Sequence, residues 1–189
     1  MKPSTLEPIE LRELLDDIAL TGRLFGTLLS NSPDRPIAVE MIAAIGKEYL
    51  VEGLRAEYQR LFIGPEHFRA PAWGSVYLDK DSVLFGSSTQ ELRAWMRKHD
   101  ISASKTGNEP EDQIGKMLLL MAWLAEERPK LLPEFLSQHL MTWAPRYLEL
   151  LKADSRVALY RDVSTELQEA LAEYTEKLGV NPVKRQLFF

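Results

Sequence analysis

The chain has 189 residues, a net charge of −5 and no cysteine. That length allows a hydrophobic core without disulfides or structural metals, and the lack of cysteine excludes thiol catalysis and thiolate metal ligands. The acidic balance, with no basic tract interleaved with aromatic residues, argues against nucleic acid as a partner. No window approaches the roughly 18–20 apolar residues that span a bilayer, so we expect no membrane insertion.

The N-terminal stretch MKPSTLEPIELRELLDD has no apolar core of the kind found in secretory signals. This argues against export, and a cytoplasmic location is the default expectation. Apolar residues spaced three and four apart from Leu11 to Leu29 then predict one long helix, which the NSPDRP turn at 31–36 ends. Two more helices are predicted, at about 37–45 and 47–62.

A long irregular segment is predicted from about 64 to 87, because two prolines and several glycines interrupt any periodicity. The following SSTQELRAWMRKHD predicts a helix with Ser88 as its cap and Glu91 three residues later, ending near His99. The polar ISASKTG at 101–107 predicts a loop between two helical halves.

The second half continues with the segment NEPEDQIGKMLLLMAWLAEE, where Asn108 and Glu111 predict a capped helix start. Its apolar residues cover most of the helix circumference, which is typical of a central helix. In the next helical segment Pro145 should introduce a kink or a split. The last helix is predicted from about Ser155 to Leu178, and the two terminal Phe residues should be docked.

The fold prediction is all-α, with residues 1–189 forming a single domain whose two helical halves join near 100–108. Exchange of these halves through the polar connection is physically possible, so both a monomer and a domain-swapped dimer are compatible with the sequence.

Candidates for catalysis are weak. The three histidines show no metal-ligand spacing, and the acidic residues Glu109, Glu111 and Asp112 would stabilise a helix N-terminus without any catalytic role. Ser75 lacks the context of a hydrolase nucleophile, and no phosphate-binding loop is present. We therefore expect no catalytic residue, no metal and no cofactor.

The aromatic part of the irregular segment is more informative. Loops longer than about 12–15 residues are usually functional or disordered, and this one is too apolar to be disordered. Pro71 stiffens its entry and Gly74 permits a close approach, so Trp73 and Tyr77 can form a rigid apolar wall. Such a wall beside acidic residues suits a ligand with an apolar stretch and cationic groups.

Three collinear blocks carry a resemblance: YQRLFIGPEHFRAPAWGSVYLDKDSVLFGSST, NEPEDQIGKMLLLMAWLAEE and HLMTWAPRYL. Together they resemble the TorD/DmsD family of cytoplasmic redox-enzyme maturation chaperones over about residues 20–175. The pieces WGSVYLD and VLFGSST are more similar to the DmsD branch than to TorD.

The resemblance implies an all-helical chaperone without a catalytic site. Family members bind the twin-arginine leader of a molybdenum-cofactor oxidoreductase catalytic subunit, such as a dimethyl sulfoxide or trimethylamine N-oxide reductase, and delay its export until the cofactor is inserted. The implied partners are the leader peptide, the catalytic subunit and the twin-arginine export (Tat) machinery. A leader with a cationic n-region and an apolar h-region fits an acidic rim beside an aromatic groove.

By resemblance, the leader-binding surface maps to nine residues in three motifs: Trp73, Gly74, Ser75 and Tyr77; Glu109, Pro110 and Asp112; and His139 and Trp143. We expect Trp73 and Tyr77 to form the apolar wall, and Glu109 and Asp112 to contact the arginines. Family members typically have His after the Asp of the second motif, where this chain has Gln113, so no role of that His carries over.

Three alternatives stay open. The chain could serve a client that has no leader by binding the folded apo-enzyme. It could be a small metal-dependent hydrolase using Glu109, Asp112 and His139. It could also be a structural helical adaptor whose aromatic loop is only part of the core.

Overall fold

The computed structural model describes residues 6–50, 52–64, 67–102 and 109–189. These residues form α-helices and contain no β-strand, which confirms the all-α prediction. In chain order the α-helices are α1 (Pro8–Ser30), α2 (Pro36–Ala44), α3 (Leu54–Tyr58), α4 (Gly74–Leu78), α5 (Ser87–Lys98), α6 (Ile114–Glu127), α7 (Leu132–Phe135), α8 (Ala144–Asp154) and α9 (Ala158–Lys177).

Two of these helices continue into π-helical turns. The π-helix Gln59–Ile63 follows α3, and the π-helix Leu136–Leu140 follows α7, which is itself preceded by the 3₁₀ turn Pro129–Leu131. A π-turn inserts one extra residue into the helical repeat and is frequent at functional sites. The second π-helix contains His139, one of the predicted site residues.

Helices α1 and α6 form the centre of the core and approach each other closely. A Cβ atom added at Gly22 would lie 2.6 Å from the carbonyl oxygen of Leu118, and one at Gly26 would lie 2.8 Å from that of Gly115. Glycine at these positions therefore lets the two helix backbones come nearly into contact. One hydrophobic core runs through the described residues from Leu14 on α1 to Tyr174 on α9.

Several predicted boundaries are confirmed. Helix α5 ends at Lys98, with His99 as its C-cap. Pro145 lies in the first turn of α8 after the break at Met141–Trp143, as the predicted split requires. Helix α9 ends one residue before the predicted Leu178. Among the described residues, no helix combines the length and the apolar character needed to cross a membrane.

Other boundaries were wrong. The helix predicted from 47 begins only at Leu54, after Gly53, whose positive φ of 85° breaks helical continuity. Helix α6 begins at Ile114 with Gln113 as its cap, so the acidic residues that precede it lie outside its first turn. Asn108, the predicted cap, and residues 103–108 of the predicted connection lie outside the described residues.

The segment predicted as irregular from 64 to 87 contains α4. This helix has only five residues and starts with glycine, so it lacks the periodicity and propensity that reveal longer helices. Ser88 was also wrong as the cap of α5, because Gly86 occupies that position and Ser88 lies inside the helix.

Candidate functional site

The first two predicted motifs meet through their backbones. The Gly74 N–H donates to the Asp112 carbonyl at 3.0 Å, and the Ile114 N–H donates to the Ala72 carbonyl at 2.8 Å. These bonds form a short antiparallel bridge between Trp73 and Gln113. The aromatic segment is thereby held against the start of the central helix.

The Asp112 side chain closes the same junction. Its Oδ2 atom accepts the Ser75 N–H at 2.6 Å. The side chain is buried, and Oδ1 has no hydrogen-bond partner among the described residues. Burial raises the pKa of Asp112 above its usual range, although the Ser75 amide acts in the opposite direction. Asp112 is therefore a buried carboxyl group and not the exposed rim residue that the sequence suggested.

Trp73 and Tyr77, the two residues predicted to form an aromatic wall, lie in different aromatic contacts. Tyr77 stacks on Trp143 with ring centroids 5.4 Å apart. A Cβ atom at Gly74 would lie 2.8 Å from Nε1 of Trp143, so the missing side chain makes room for this indole. Tyr77 and Trp143 are 0% and 1% exposed. Trp73 is not in this stack and packs edge-on against Phe68.

Four of the nine predicted residues line one cleft, together with side chains from α5, α6 and the C-terminal segment. The volume of this cleft is about 10 Å³, on the order of one water molecule. Its lining residues are Gly74, Leu78, Ser88, Glu91, Leu92, Asp112, Met117, Gln138, His139, Trp143 and Arg185.

The other five predicted residues do not line the cleft. Ser75 and Tyr77 on α4 are completely buried, and Pro110 is buried as well. Glu109 is exposed, and its backbone carbonyl accepts a hydrogen bond from Lys116 Nζ at 2.6 Å. Among the predicted carboxylates, Glu109 is thus the one that solvent reaches.

Buried polar atoms without partners are concentrated here. Within the described part of the chain they include Trp73 Nε1, Ser75 Oγ, Tyr77 Oη, Asp112 Oδ1 and His139 Nε2. Most buried polar groups in folded proteins are hydrogen-bonded, so each of these atoms calls for a partner such as water or a ligand group. In the described ranges, no group of three or more His, Asp or Glu side chains has the arrangement of a metal site.

His139 lies against the Trp95 ring, with centroids 5.3 Å apart. Burial, followed by the nearby positive charge of Arg185, lowers the pKa of His139 to about 4. The imidazole is therefore neutral near pH 7, when it can serve as donor or acceptor but carries no charge.

The sequence analysis missed seven of the eleven lining residues, of which Glu91 and Arg185 are charged. Glu91 on α5 forms an ion pair with Arg185 of the C-terminal segment at 2.6 Å. An acidic residue on α5 and a basic residue 94 positions later give no local signal that they pair.

The predicted docking of the terminal Phe residues is confirmed for Phe189, whose ring packs edge-on against Tyr77.

Other motif residues have structural roles. Asp79 caps α5 from a distance, since its carboxylate accepts the Ser87 N–H at 3.0 Å and the Ser88 hydroxyl at 2.7 Å. Gly86 leaves room for that carboxylate, because a Cβ atom there would collide with it. Most of the conspicuous SVYLD and FGSS sequence therefore positions α4 against α5.

Gln113, the departure from the family pattern, also has a structural role. Its Oε1 caps α6 by accepting the Lys116 N–H at 2.9 Å, and its Nε2 donates to the Leu29 carbonyl at 2.8 Å. The side chain thus joins the start of α6 to the end of α1. Such a cap stabilises a helix by about 1 kcal/mol.

Comparisons with known proteins agree with this architecture. Residues 33–149 match the model of a family described as the nitrate reductase delta subunit. The chain is also similar to a Tat proofreading chaperone DmsD of Salmonella typhi, at 36% identity over 92% of this chain and 96% of the relative. A Haemophilus influenzae protein named "Probable Tat proofreading chaperone DmsD" is 40% identical over 74% of this chain and 69% of its own length.

A solved structure of a candidate redox enzyme maturation protein from Archaeoglobus fulgidus has the same fold. The TM-score is 0.61 at 18% identity, over 91% of this chain and 99% of that one. The fold is therefore that of an all-α maturation protein. The chain belongs to the nitrate reductase delta subunit family, which confirms the TorD/DmsD resemblance, and both named relatives support the DmsD branch.

Proposed function

We propose that this protein is a cytoplasmic chaperone that binds the twin-arginine leader of a molybdoenzyme catalytic subunit and delays export until the cofactor is inserted. The observation that carries the proposal is the convergence of the predicted motifs on one cleft, which Gly74, Asp112, His139 and Trp143 line together. Relatives of nearly full length that are named Tat proofreading chaperones support it. Their names also favour a binding protein over the metal-dependent hydrolase.

Each part of the leader has a chemical counterpart at the cleft. The Tyr77–Trp143 stack is 0% and 1% exposed, so it would meet the apolar region of a leader only after the side chains that cover it move aside. We expect Glu109 to meet a leader arginine in solvent, and Asp112, which is buried, to accept a second one once the side chains that close the cleft have moved aside. An arginine there would form a charge-assisted hydrogen bond with Asp112 Oδ1, the atom that has no partner among the described residues.

Calorimetric titration with leader peptides from the molybdoenzymes of the same genome tests the proposal. Each peptide is paired with a version in which both arginines are alanine. We expect micromolar or tighter binding to one leader and clearly weaker binding to its alanine version. If no leader binds, the folded apo-enzyme becomes the client instead.

Variants of this protein test the two carboxyl groups. Asp112→Asn retains an acceptor for the Ser75 amide, so the fold should persist while leader affinity falls. Glu109→Gln should weaken binding less, by up to about fivefold, because exposed ion pairs contribute only about 0.2–1 kcal/mol. Glu127→Gln, at the opposite end of α6, is the matched control and should change nothing. Unchanged affinity in a folded Asp112→Asn protein would remove Asp112 from the site.

A further inference from the structure

The C-terminal segment 181–189 leaves α9 and crosses the face that contains the cleft. It is anchored first at the second π-helix, where the Ser137 hydroxyl donates to the Asn181 carbonyl at 2.6 Å and the Val183 N–H donates to the Ser137 carbonyl at 2.9 Å. These bonds fix where the segment enters the cleft region. The residues beyond Val183 then extend over the predicted site.

The basic part of the segment meets an acidic residue. Arg185 pairs with Glu91 at 2.6 Å, and its side chain lines the same cleft as Asp112 and His139. The Arg185 and Glu91 side chains are 31% and 49% exposed, so the pair lies at the mouth of the cleft. Arg185 thus occupies the mouth of the cleft, where we expect a leader arginine to approach.

The apolar end of the segment meets the aromatic stack. The Phe188 N–H donates to the Tyr77 carbonyl at 2.8 Å, and the Phe189 ring packs on Tyr77 with centroids 5.5 Å apart. Leu187 and Phe188 are still 38% and 40% exposed. The segment is therefore attached to the surface of the molecule and does not form part of its core.

The order of chemical groups in this segment is that of the proposed ligand. Arg185 is followed by Leu187, Phe188 and Phe189, so a cation precedes apolar residues, as the cationic n-region precedes the apolar h-region in a leader. The segment places Arg185 at the Glu91 carboxylate and the Phe189 ring on Tyr77. Its contacts with the site match in kind those that the leader would make.

We infer that residues 185–189 are an internal competitor that occupies the leader-binding site and is displaced by the leader. This inference rests on the proposed function and adds Glu91 to the site as the carboxylate that receives a cation. A segment tethered to the chain acts at an effective concentration in the millimolar range, so even weak contacts keep it docked. The apparent affinity for the leader is then reduced in proportion to the fraction of molecules whose site is open.

Truncation after Val183 tests the inference, because it keeps both contacts with Ser137 and removes the competing residues. We expect the truncated protein to bind the leader about tenfold more tightly than the full chain. This is the increase that follows if the segment is docked in roughly 90% of full-length molecules and leaves the site open in the rest. Circular dichroism and the urea denaturation midpoint establish that the truncated chain is folded.

Two variants of the full chain give a second test that does not depend on truncation. Arg185→Glu places a negative charge against Glu91 and should release the segment, so leader affinity should rise. Lys184→Glu changes the net charge by the same amount at a residue for which no ion pair is found among the described residues, and its affinity should stay close to that of the unmodified chain.

The outcomes are distinct. Tighter binding by the truncated chain and by Arg185→Glu, but not by Lys184→Glu, supports the competitor. Equal affinity in all four proteins overturns it while leaving leader binding intact, and equal increases in Arg185→Glu and Lys184→Glu also overturn it, in favour of a bulk charge effect. Leader binding by none of the four overturns the proposed function, and the competitor with it.

Discussion

At the scale of single residues, the motif glycines matter for the side chains they lack. Gly74 and Gly86 each lie where a Cβ atom would enter the volume of another motif residue, Trp143 in one case and Asp79 in the other. The sequence identified Gly74 as a place of close approach. It could not name Trp143 as the neighbour, because the two positions are 69 residues apart and only the folded chain brings them together.

Replacing Gly74 by alanine should therefore destabilise the protein. The added Cβ would lie 2.8 Å from Trp143 Nε1, so the indole must shift, and overpacking of this kind costs about 1–3 kcal/mol. Urea denaturation measures the loss, and Trp fluorescence should change in parallel. Gly46→Ala is the comparison: its Cβ would meet nothing within 4 Å, so it should lose about 1–2 kcal/mol through the positive φ of 71° alone and leave Trp fluorescence unchanged. A Gly74→Ala protein as stable as the unmodified chain would contradict the assigned contact.

His139 should make the protein sensitive to acid. Its pKa is lowered from 6.5 to about 4 in the folded state, so the folded protein binds fewer protons than the unfolded chain between these values. The contribution of His139 to the free energy of unfolding is fully present above about pH 6.5. It is lost as the pH decreases towards 4, and this loss amounts to roughly 2–3 kcal/mol.

His139→Gln removes this titration. Denaturation midpoints measured from pH 7 to pH 4 should therefore fall less steeply for the variant than for the unmodified protein. Because both proteins retain every other ionisable group, including Asp112 with its raised pKa, the difference between the two curves isolates His139. Parallel curves would show that the imidazole is protonated equally in both states.

At the scale of elements, a buried charge cluster joins α3 and its π-turn to the end of α8. Arg60 pairs with Glu57 at 2.7 Å and with Asp154 at 2.5 Å, and Glu57 also accepts the Arg156 N–H at 2.7 Å. Burial alone would raise the pKa of Glu57, but the Arg60 and Arg156 contacts outweigh it and lower the pKa. The cluster therefore holds two helical regions together through ionised groups.

Arg60→Ala should destabilise the protein by about 3–5 kcal/mol, because it leaves Glu57 and Asp154 buried without their cation. Chemical denaturation at pH 7 measures the change. The matched control is Arg146→Ala, which removes an exposed pair with Glu149 and should cost less than about 1 kcal/mol. Similar losses in the two variants would mean that the Arg60 cluster is not effectively buried.

The elements also show where sequence reasoning succeeds. Long amphipathic helices such as α1, α5 and α9 were predicted within a few residues, because many apolar positions repeat the same signal. Helix α4 was missed because five residues provide about one turn. The start of α6 was placed too early because Glu109, Pro110 and Glu111 have the composition of a first turn, whereas the bridge to residues 72–74 holds them outside the helix.

At the scale of the whole molecule, the cleft is assembled from parts that are distant in sequence: α4, α5, the start of α6, the second π-helix and the C-terminal segment. The motifs gave Gly74, Asp112, His139 and Trp143 as candidates, and all four meet there. The burial of Asp112 and the position of Arg185 in the cleft could not be predicted, because the first depends on the bridge to residues 72–74 and the second on a pairing with Glu91 across 94 positions.

The C-terminal segment should also affect the pKa of His139 when no leader is bound. The charged groups that act on His139 are Arg185, which lowers its pKa, and Glu91 and Glu134, which raise it, while burial has the largest effect. Truncation after Val183 removes Arg185 and opens the cleft, and both changes favour the protonated imidazole. The pKa of His139 should therefore rise from about 4 towards 6.5.

An NMR titration of the His139 ring protons in the full and truncated chains measures this shift. Arg185→Glu in the full chain should raise the pKa as well, since it replaces the opposing positive charge with a negative one, whereas Lys184→Glu should have little effect. If the pKa of His139 were the same in the truncated and full chains, the segment would not cover the imidazole in solution. Such a result would contradict the docked position itself, whatever the outcome of leader titration.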